Sequence, residues 1–149
     1  MNEIKLIELK LKTFTEQDVL DYCQINNINI NKITDLWLTE NKLTDISGIK
    51  LFKNIEALYL EYNKLTDISV LNNLNKLETL LISNNQIKDI SVLKDLHNIQ
   101  KLSIENLELE SAQIKYINSL NNLKELWSEN GFKDMSVLKQ INKKIKIYE

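Results

Sequence analysis

The sequence contains one histidine and one cysteine, and both residue types commonly act as bases or nucleophiles in enzymes. His97 follows Asp95 in the segment LKDLHN, but no nucleophile stands at a spacing that would complete a triad with them. A lone histidine of this kind is usually a solvated side chain. Cys23 shares a predicted helical face with Val19 and Leu20, which indicates a buried, unreactive thiol. We therefore expect no catalytic residue and a protein that is not an enzyme.

Two sets of carboxylates could hold a cation or perform acid-base chemistry. Each aspartate of the first set precedes an Ile-Ser or Met-Ser pair, where its carboxylate can cap the free N–H groups of a short turn. The glutamates of the second set are explained by the charged rim of a binding surface. We expect no metal and no cofactor. The aspartates that could hold a cation are Asp45, Asp67 and Asp89, Asp134 shares only their capping position, and the glutamates are Glu61, Glu105, Glu125 and Glu129.

The length of 149 residues predicts a single domain over residues 1–149. All 19 basic residues are lysines, so the chain lacks the bidentate arginine contacts that readers of nucleic acid favour. Proline is absent and glycine occurs twice, which excludes glycine-rich phosphate loops. We expect no nucleic-acid partner.

Residues 1–18 mix apolar and charged side chains and lack the unbroken apolar run of about 7 to 15 residues found in a signal peptide. No stretch approaches the roughly 18 consecutive apolar residues of a transmembrane helix. A single cysteine cannot form an intrachain disulfide, which agrees with a reducing compartment. We expect no membrane partner and a cytoplasmic location.

An internal repeat must position all of these side chains. Residues 36–51 read LWLTENKLTDISGIKL, and similar sequences return at 58–73 and 80–95. Self-similarity at a period in the range of 20 to 29 residues is typical of a solenoid built from stacked coils. The sequence predicts an N-terminal cap, five repeats and a terminal edge strand at 1–32, 33–144 and 145–149, the repeats being 33–54, 55–76, 77–98, 99–122 and 123–144.

Each part of the repeat has a mechanical role. The two leucines of an L-x-L segment, such as Leu36 and Leu38, point inward from a short strand, and the residue between them points outward. The following asparagine can bond backbone groups where the chain turns inward. Apolar residues then recur every three positions, which favours 3₁₀ turns on the convex side. These asparagines are Asn41, Asn63 and Asn85.

The last two repeats depart from this pattern. In LSIEN and LWSEN the asparagines, Asn106 and Asn130, arrive one residue early, and Ser128 replaces the second inward apolar residue. The fourth repeat has 24 residues, and its convex part from Ser111 suits a helical turn. We leave the loop register of both repeats open.

The cap contains two predicted elements. Alternating apolar residues over 3–12 indicate a strand or extended edge. Thr15 and Asp18 have the spacing of a capping box, which predicts a short helix over 16–25.

The pattern LxxLxLxxNxLxDISxLxxL over residues 33–147 resembles the leucine-rich repeat family, in the 22-residue form of internalin-like and SDS22-like repeats. The TDIS segments at Thr44 and Thr66 look most like internalin repeats. The resemblance implies an α/β fold, a right-handed solenoid with a concave parallel β-sheet that usually binds proteins. Internalins usually have proline where this chain has Gly48, Val70 and Val92, and they are exported.

The residues that flank the inward leucines define a predicted partner-binding face. Tryptophan and tyrosine are common hot-spot residues, and an acidic rim favours a protein partner with a basic surface. The plainer alternative is a surface ladder of aromatic rings, or a contact with a second copy. The predicted face comprises Asp35, Trp37, Thr39, Glu40, Tyr59, Glu61, Tyr62, Leu81, Ser83, Lys101, Ser103, Glu105, Glu125, Trp127 and Glu129.

We therefore predict a non-enzymatic protein-protein interaction module. One alternative is an immunity or inhibitor-type protein that neutralises an enzyme or toxin by covering its site. Another is a hydrolase or glycan-binding protein that uses the concave carboxylates. The sequence leaves the partner, the pathway and the oligomeric state open.

Overall fold

One parallel sheet runs the length of the computed structural model, which describes residues 2–5, 11–141 and 144–149. Its seven strands in the described part lie in the order in which they occur along the chain, so each coil adds one strand beside the previous one. This order is that of a solenoid. The strands are β1 (Glu3–Lys5), β2 (Asp35–Trp37), β3 (Ala57–Tyr59), β4 (Thr79–Leu81), β5 (Lys101–Ser103), β6 (Glu125–Trp127) and β7 (Lys146–Tyr148).

The strand register aligns the first leucine of every L-x-L segment across the sheet. Leu36 pairs with Leu58, which pairs with Leu80, and the row continues through β5 and β6. These side chains are fully buried, as are the second inward residues Leu38 and Leu60. Because side chains alternate between the two faces of a strand, the residues between them face the concave side. The predicted leucine-lined core is confirmed.

The convex side consists mainly of 3₁₀ turns, as the three-residue period predicts. The Ser69 N–H donates to Asp67 Oδ1 at 2.7 Å, and the corresponding aspartates of the other coils accept equivalent bonds at 2.7 to 3.0 Å. The aspartates therefore cap these turns. The 3₁₀ helices span Ile30–Lys32, Ser47–Leu51, Ser69–Asn73, Ser91–Asp95, Ser111–Gln113 and Met135–Gln140, and the fourth repeat adds the α-helix α2 (Ile114–Ser119), numbered after α1 of the cap (Glu16–Ile25).

The buried asparagines connect neighbouring coils. The Asn63 Nδ2 group donates to the carbonyl oxygens of Leu38 and Leu60 at 2.9 Å, and Asn63 Oδ1 accepts from the Leu43 N–H at 3.0 Å. Asn85 makes the same set of bonds one coil later. Each amide thus satisfies backbone groups that the turn leaves without strand partners.

Asn106 and Asn130 have a different role from the buried asparagines. Both have positive φ, at 57° and 50°, and they occupy the turn position held by Glu40, Tyr62 and Asn84 in earlier coils. Asparagine tolerates this conformation better than most residues. Their side chains are exposed and form a ladder of their own, from Asn130 to Asn106 and from Asn106 to Asn84. The last two coils are therefore not shortened before the asparagine. Their asparagines stand in the turn position, and a different residue type follows in the position of the buried asparagines.

The cap helix α1 begins at the predicted capping box. The Asp18 N–H donates to Thr15 Oγ1 at 3.2 Å, and the Thr15 N–H donates to Asp18 Oδ2 at 2.7 Å. Val19 and Cys23 are buried, but Leu20 is 50% exposed, so its predicted place on the buried face was wrong. Successive residues of a helix are about 100° apart, so Leu20 points well away from Val19. The coil beneath α1 covers only the narrow face that contains Val19 and Cys23.

Gly48 lets the cap lie close to the first repeat. A Cβ atom there would stand 2.7 Å from the carbonyl oxygen of Phe14, closer than side-chain carbons come to oxygen atoms. The Gly48 N–H instead donates to that oxygen at 2.8 Å, and the Phe14 N–H donates to the Asp45 carbonyl at 2.8 Å. Of the extended edge predicted over 3–12, the structure shows β1, while residues 6–10 lie outside the described part.

No helix in the described ranges is long and apolar enough to cross a membrane.

Candidate functional site

The outward residues of the strands form one column on the concave face. Two pairs of aromatic rings stand near its ends. Trp37 stacks on Tyr59 with ring centroids 3.7 Å apart and planes 13° from parallel. Trp127 stacks on Tyr148 with centroids 4.9 Å apart and planes 2° from parallel. We call these pairs the first and second aromatic stacks. In chain order the column is Lys5, Trp37, Tyr59, Leu81, Ser103, Trp127 and Tyr148.

A lysine extends each stack outward. Lys5 Nζ lies 5.2 Å from the ring centroid of Trp37, and Lys146 Nζ lies 4.7 Å from that of Tyr148. Both distances are within cation–π range. Sequence reasoning missed Lys5, Lys146 and Tyr148 as face residues. The L-x-L pattern of IKIY indicated a terminal strand. It did not show which residue of that strand would lie beside Trp127.

Between the two stacks the column dips, because Leu81 and Ser103 are smaller than the rings on either side. This gap is a cavity of about 350 Å³. We call it the concave pocket. It is lined by Tyr59, Glu61, Thr79, Leu81, Lys101, Ser103, Glu105 and Trp127.

Glu105 is held in the pocket by two buried serines. Its Oε2 accepts from the hydroxyl of Ser103 at 3.1 Å and from that of Ser83 at 3.4 Å, and its backbone N–H donates to Ser83 Oγ at 2.9 Å. The two hydroxyls also contact each other. These bonds fix the Glu105 carboxylate over β4 and β5.

Glu61 is less well satisfied than Glu105. Its Oε2 is buried and has no hydrogen-bond donor among the described residues. Burial raises the pKa of the Glu61 carboxyl, the hydrogen bond from its own backbone N–H acts against that rise, and the charge of Glu105 adds to it. A buried carboxylate oxygen without a donor is costly, so a ligand that brought hydrogen-bond donors to the Glu61 carboxylate would relieve that cost.

Other polar groups border the pocket and the stacks. Lys101 Nζ lies 3.5 Å from Glu125 Oε1, and the Tyr148 hydroxyl donates to Glu125 Oε2 at 3.3 Å. The Trp37 Nε1–H is buried and has no acceptor within the described part of the chain. Burial raises the pKa of the Tyr59 hydroxyl, and the charges of Asp35 and Glu61 raise it further.

The predicted face residues fall into three groups by exposure. Ser83 and Ser103 are buried beneath Glu105, so they support the surface without forming it. The half-buried group is Asp35, Trp37, Thr39, Tyr59, Glu61, Leu81, Glu105, Glu125 and Trp127, and the exposed group is Glu40, Tyr62, Lys101 and Glu129.

The other candidates for chemistry lie away from this face. His97 is exposed on the connection after a 3₁₀ turn, and Cys23 is buried in the cap, where burial raises the pKa of its thiol. In the described ranges no three His, Cys, Asp or Glu side chains are grouped to hold a metal ion.

Solved structures share this arrangement of coils. An internalin of Listeria monocytogenes, InlF, matches 80% of this chain with a TM-score of 0.72 and 28% identity. A leucine-rich repeat protein of Leptospira interrogans matches 100% of the chain with a TM-score of 0.77 and 22% identity. This chain has the leucine-rich repeat fold of these structures.

Internalin C2 of Listeria monocytogenes has the same fold, with a TM-score of 0.52 and 19% identity over 99% of the chain and 80% of its own length. This leucine-rich repeat chain spans 36% of InlF and 37% of the Leptospira protein. No protein-family model matches the sequence, and no curated protein matches it.

Proposed function

We propose that this leucine-rich repeat protein is a non-enzymatic interaction module that holds a protein partner on its concave sheet. The observation that carries the proposal is the pairing of two aromatic stacks on one face with a pocket between them. Stacked aromatic rings present a large, rigid area at a small cost in conformational entropy, which is the character of protein hot spots.

The charges of the face suggest the partner's character. Glu61, Glu105 and Glu125 are half-buried on or beside the pocket, and Glu40 and Glu129 extend the acidic rim. Lys101 is paired with Glu125, so its positive charge is partly offset. A partner with a basic surface would be steered to this face and oriented on it.

Affinity capture from a lysate of the source organism tests the proposal. The double variant Trp37→Ala, Tyr59→Ala removes the first aromatic stack, and the wild type should retain a partner that this variant loses. The matched control is Lys94→Ala, Asp95→Ala, because both residues are exposed on the convex side and their charges cancel. Equal capture by all three proteins would exclude the concave face as the binding surface. Circular dichroism establishes that each variant is folded.

A further inference from the structure

We propose that the concave pocket receives an arginine side chain of the protein partner, with its guanidinium group on Glu61 and Glu105 and its flat face against the Trp127 ring. This inference rests on the proposed function and deepens it, because it assigns the chemistry of the residue at the centre of the interface.

The shape of the pocket suits a long side chain with a planar end. Tyr59 and Trp127 stand three strands apart in the column, which places their backbones roughly 14 Å from each other. Leu81 lies between them and offers an apolar surface for the methylene groups of an incoming side chain. The rings at both ends offer faces on which a guanidinium plane can stack.

The charge of the pocket requires a donor-rich cation. Glu61 Oε2 is buried without a hydrogen-bond donor among the described residues, and the neighbouring Glu105 carboxylate is fixed by Ser83 and Ser103. Two carboxylates close together repel each other until a cation lies between them. Lys101 is drawn toward Glu125 on the next strand instead.

A guanidinium group fits these demands better than the alternatives. It has five N–H donors in one plane, so it can bond carboxylate oxygens while stacking on a ring. A lysine ammonium carries the same charge but has no plane to stack and keeps its hydration more strongly. An anionic ligand would be repelled by the two carboxylates, and a neutral ligand would leave the charge of Glu61 uncompensated.

Titration with single-residue probes tests the proposal without knowledge of the partner. The probe is N-acetyl-L-arginine N-methylamide, and its controls are the citrulline analogue, which has nearly the same shape without the charge, and the lysine analogue. NMR reports binding through the two indole Nε1–H signals, which the variant Trp37→Phe assigns to Trp37 and Trp127. We expect the arginine probe to shift the Trp127 signal saturably, with affinity about tenfold above the citrulline analogue and above the lysine analogue.

Two charge variants locate the site. Glu61→Gln should weaken the arginine probe about tenfold, whereas Glu78→Gln should leave its affinity unchanged, since Glu78 is exposed and lies outside the pocket lining. Equal binding of arginine and citrulline, an unchanged affinity in Glu61→Gln, or no shift of Trp127 would overturn the proposal. The capture experiment with Trp37→Ala, Tyr59→Ala tests the interaction module separately. A negative result with the arginine probe would therefore exclude the arginine site and leave the interaction module unaffected.

Discussion

Trp37 and Tyr59 come from neighbouring coils, and their rings lie 3.7 Å apart and nearly parallel. The contact links β2 to β3 on the concave face, outside the leucine core. The same two rings that we propose as a binding surface therefore also join the first two repeats. Aromatic pairs of this kind contribute roughly 0.5 to 1.5 kcal/mol beyond the area that they bury.

Tyr59→Ala should lower the free energy of unfolding by about 1 to 2 kcal/mol, because it removes this stack and a half-buried ring. The measurement is urea unfolding followed by circular dichroism. Tyr62→Ala is the matched control, since Tyr62 is 58% exposed and should change the free energy by less than about 0.5 kcal/mol. Equal losses in the two variants would contradict the structural role of the stack.

The two kinds of asparagine should respond differently to glycine. Asn63→Gly removes bonds to the carbonyls of Leu38 and Leu60 and from the Leu43 N–H, leaving buried groups unpaired, and should cost about 3 kcal/mol. Asn106→Gly should change stability by less than about 1 kcal/mol, because glycine adopts positive φ freely and the side chain is exposed. Thermal unfolding of both variants checks this. A large loss of stability in Asn106→Gly would contradict this prediction and would mean that the exposed asparagine ladder stabilises the coil.

The repeating parts of this fold can be predicted from sequence because each coil restates the same local rule. The inward leucines, the turn asparagine at Asn63 and the capping aspartate at Asp67 all make contacts within their own coil or with a neighbouring one. Asn106 misled the prediction because residue type alone does not distinguish a turn position of positive φ from the buried ladder position beside it.

The site depends on contacts that the repeat does not encode. Tyr148 becomes the neighbour of Trp127 only because β7 adds to the sheet after the last repeat. The Glu105 carboxylate is held by Ser83 and Ser103 from coils three and four, and its charge acts on Glu61 in coil two. The outward direction of these residues was predictable, but their pairing and their exposure were not.

Gly48→Ala should loosen the cap. The added Cβ would stand 2.7 Å from the Phe14 carbonyl oxygen, a backbone atom that cannot move without shifting the start of α1. We expect a loss of about 1 to 3 kcal/mol and faster hydrogen exchange of the α1 amides. Val70→Ala is the control, because Val70 holds the same position one coil later, in the 3₁₀ helix Ser69–Asn73. Unchanged exchange in α1 of Gly48→Ala would show that the close approach does not hold the cap.

Glu61 should make the protein less stable as the pH rises. Burial raises its pKa in the folded state, so the folded protein binds more protons than the unfolded chain between the ordinary glutamate pKa and the raised value. Stability from this group is therefore present at low pH and is lost as the pH rises through that window. The charged groups around Glu61 are Glu105, Asp35 and Lys101. The wild type and the variant Glu61→Gln both contain them, so their effect is the same in the two proteins.

Glu61→Gln removes this titration while nearly preserving the shape of the side chain. The free energy of unfolding of Glu61→Gln minus that of the wild type should therefore increase from acid to neutral pH, as measured by urea unfolding across the range. Taking the difference cancels the opposite trend of Asp18 and Asp67, whose pKa values are lowered by hydrogen bonds from Thr15 and Ser69. In Glu78→Gln, where the carboxylate is exposed, the difference should stay flat. A flat difference in Glu61→Gln as well would mean that Glu61 is hydrated in the folded protein, and the pocket would then lack the buried charge that selects a cation.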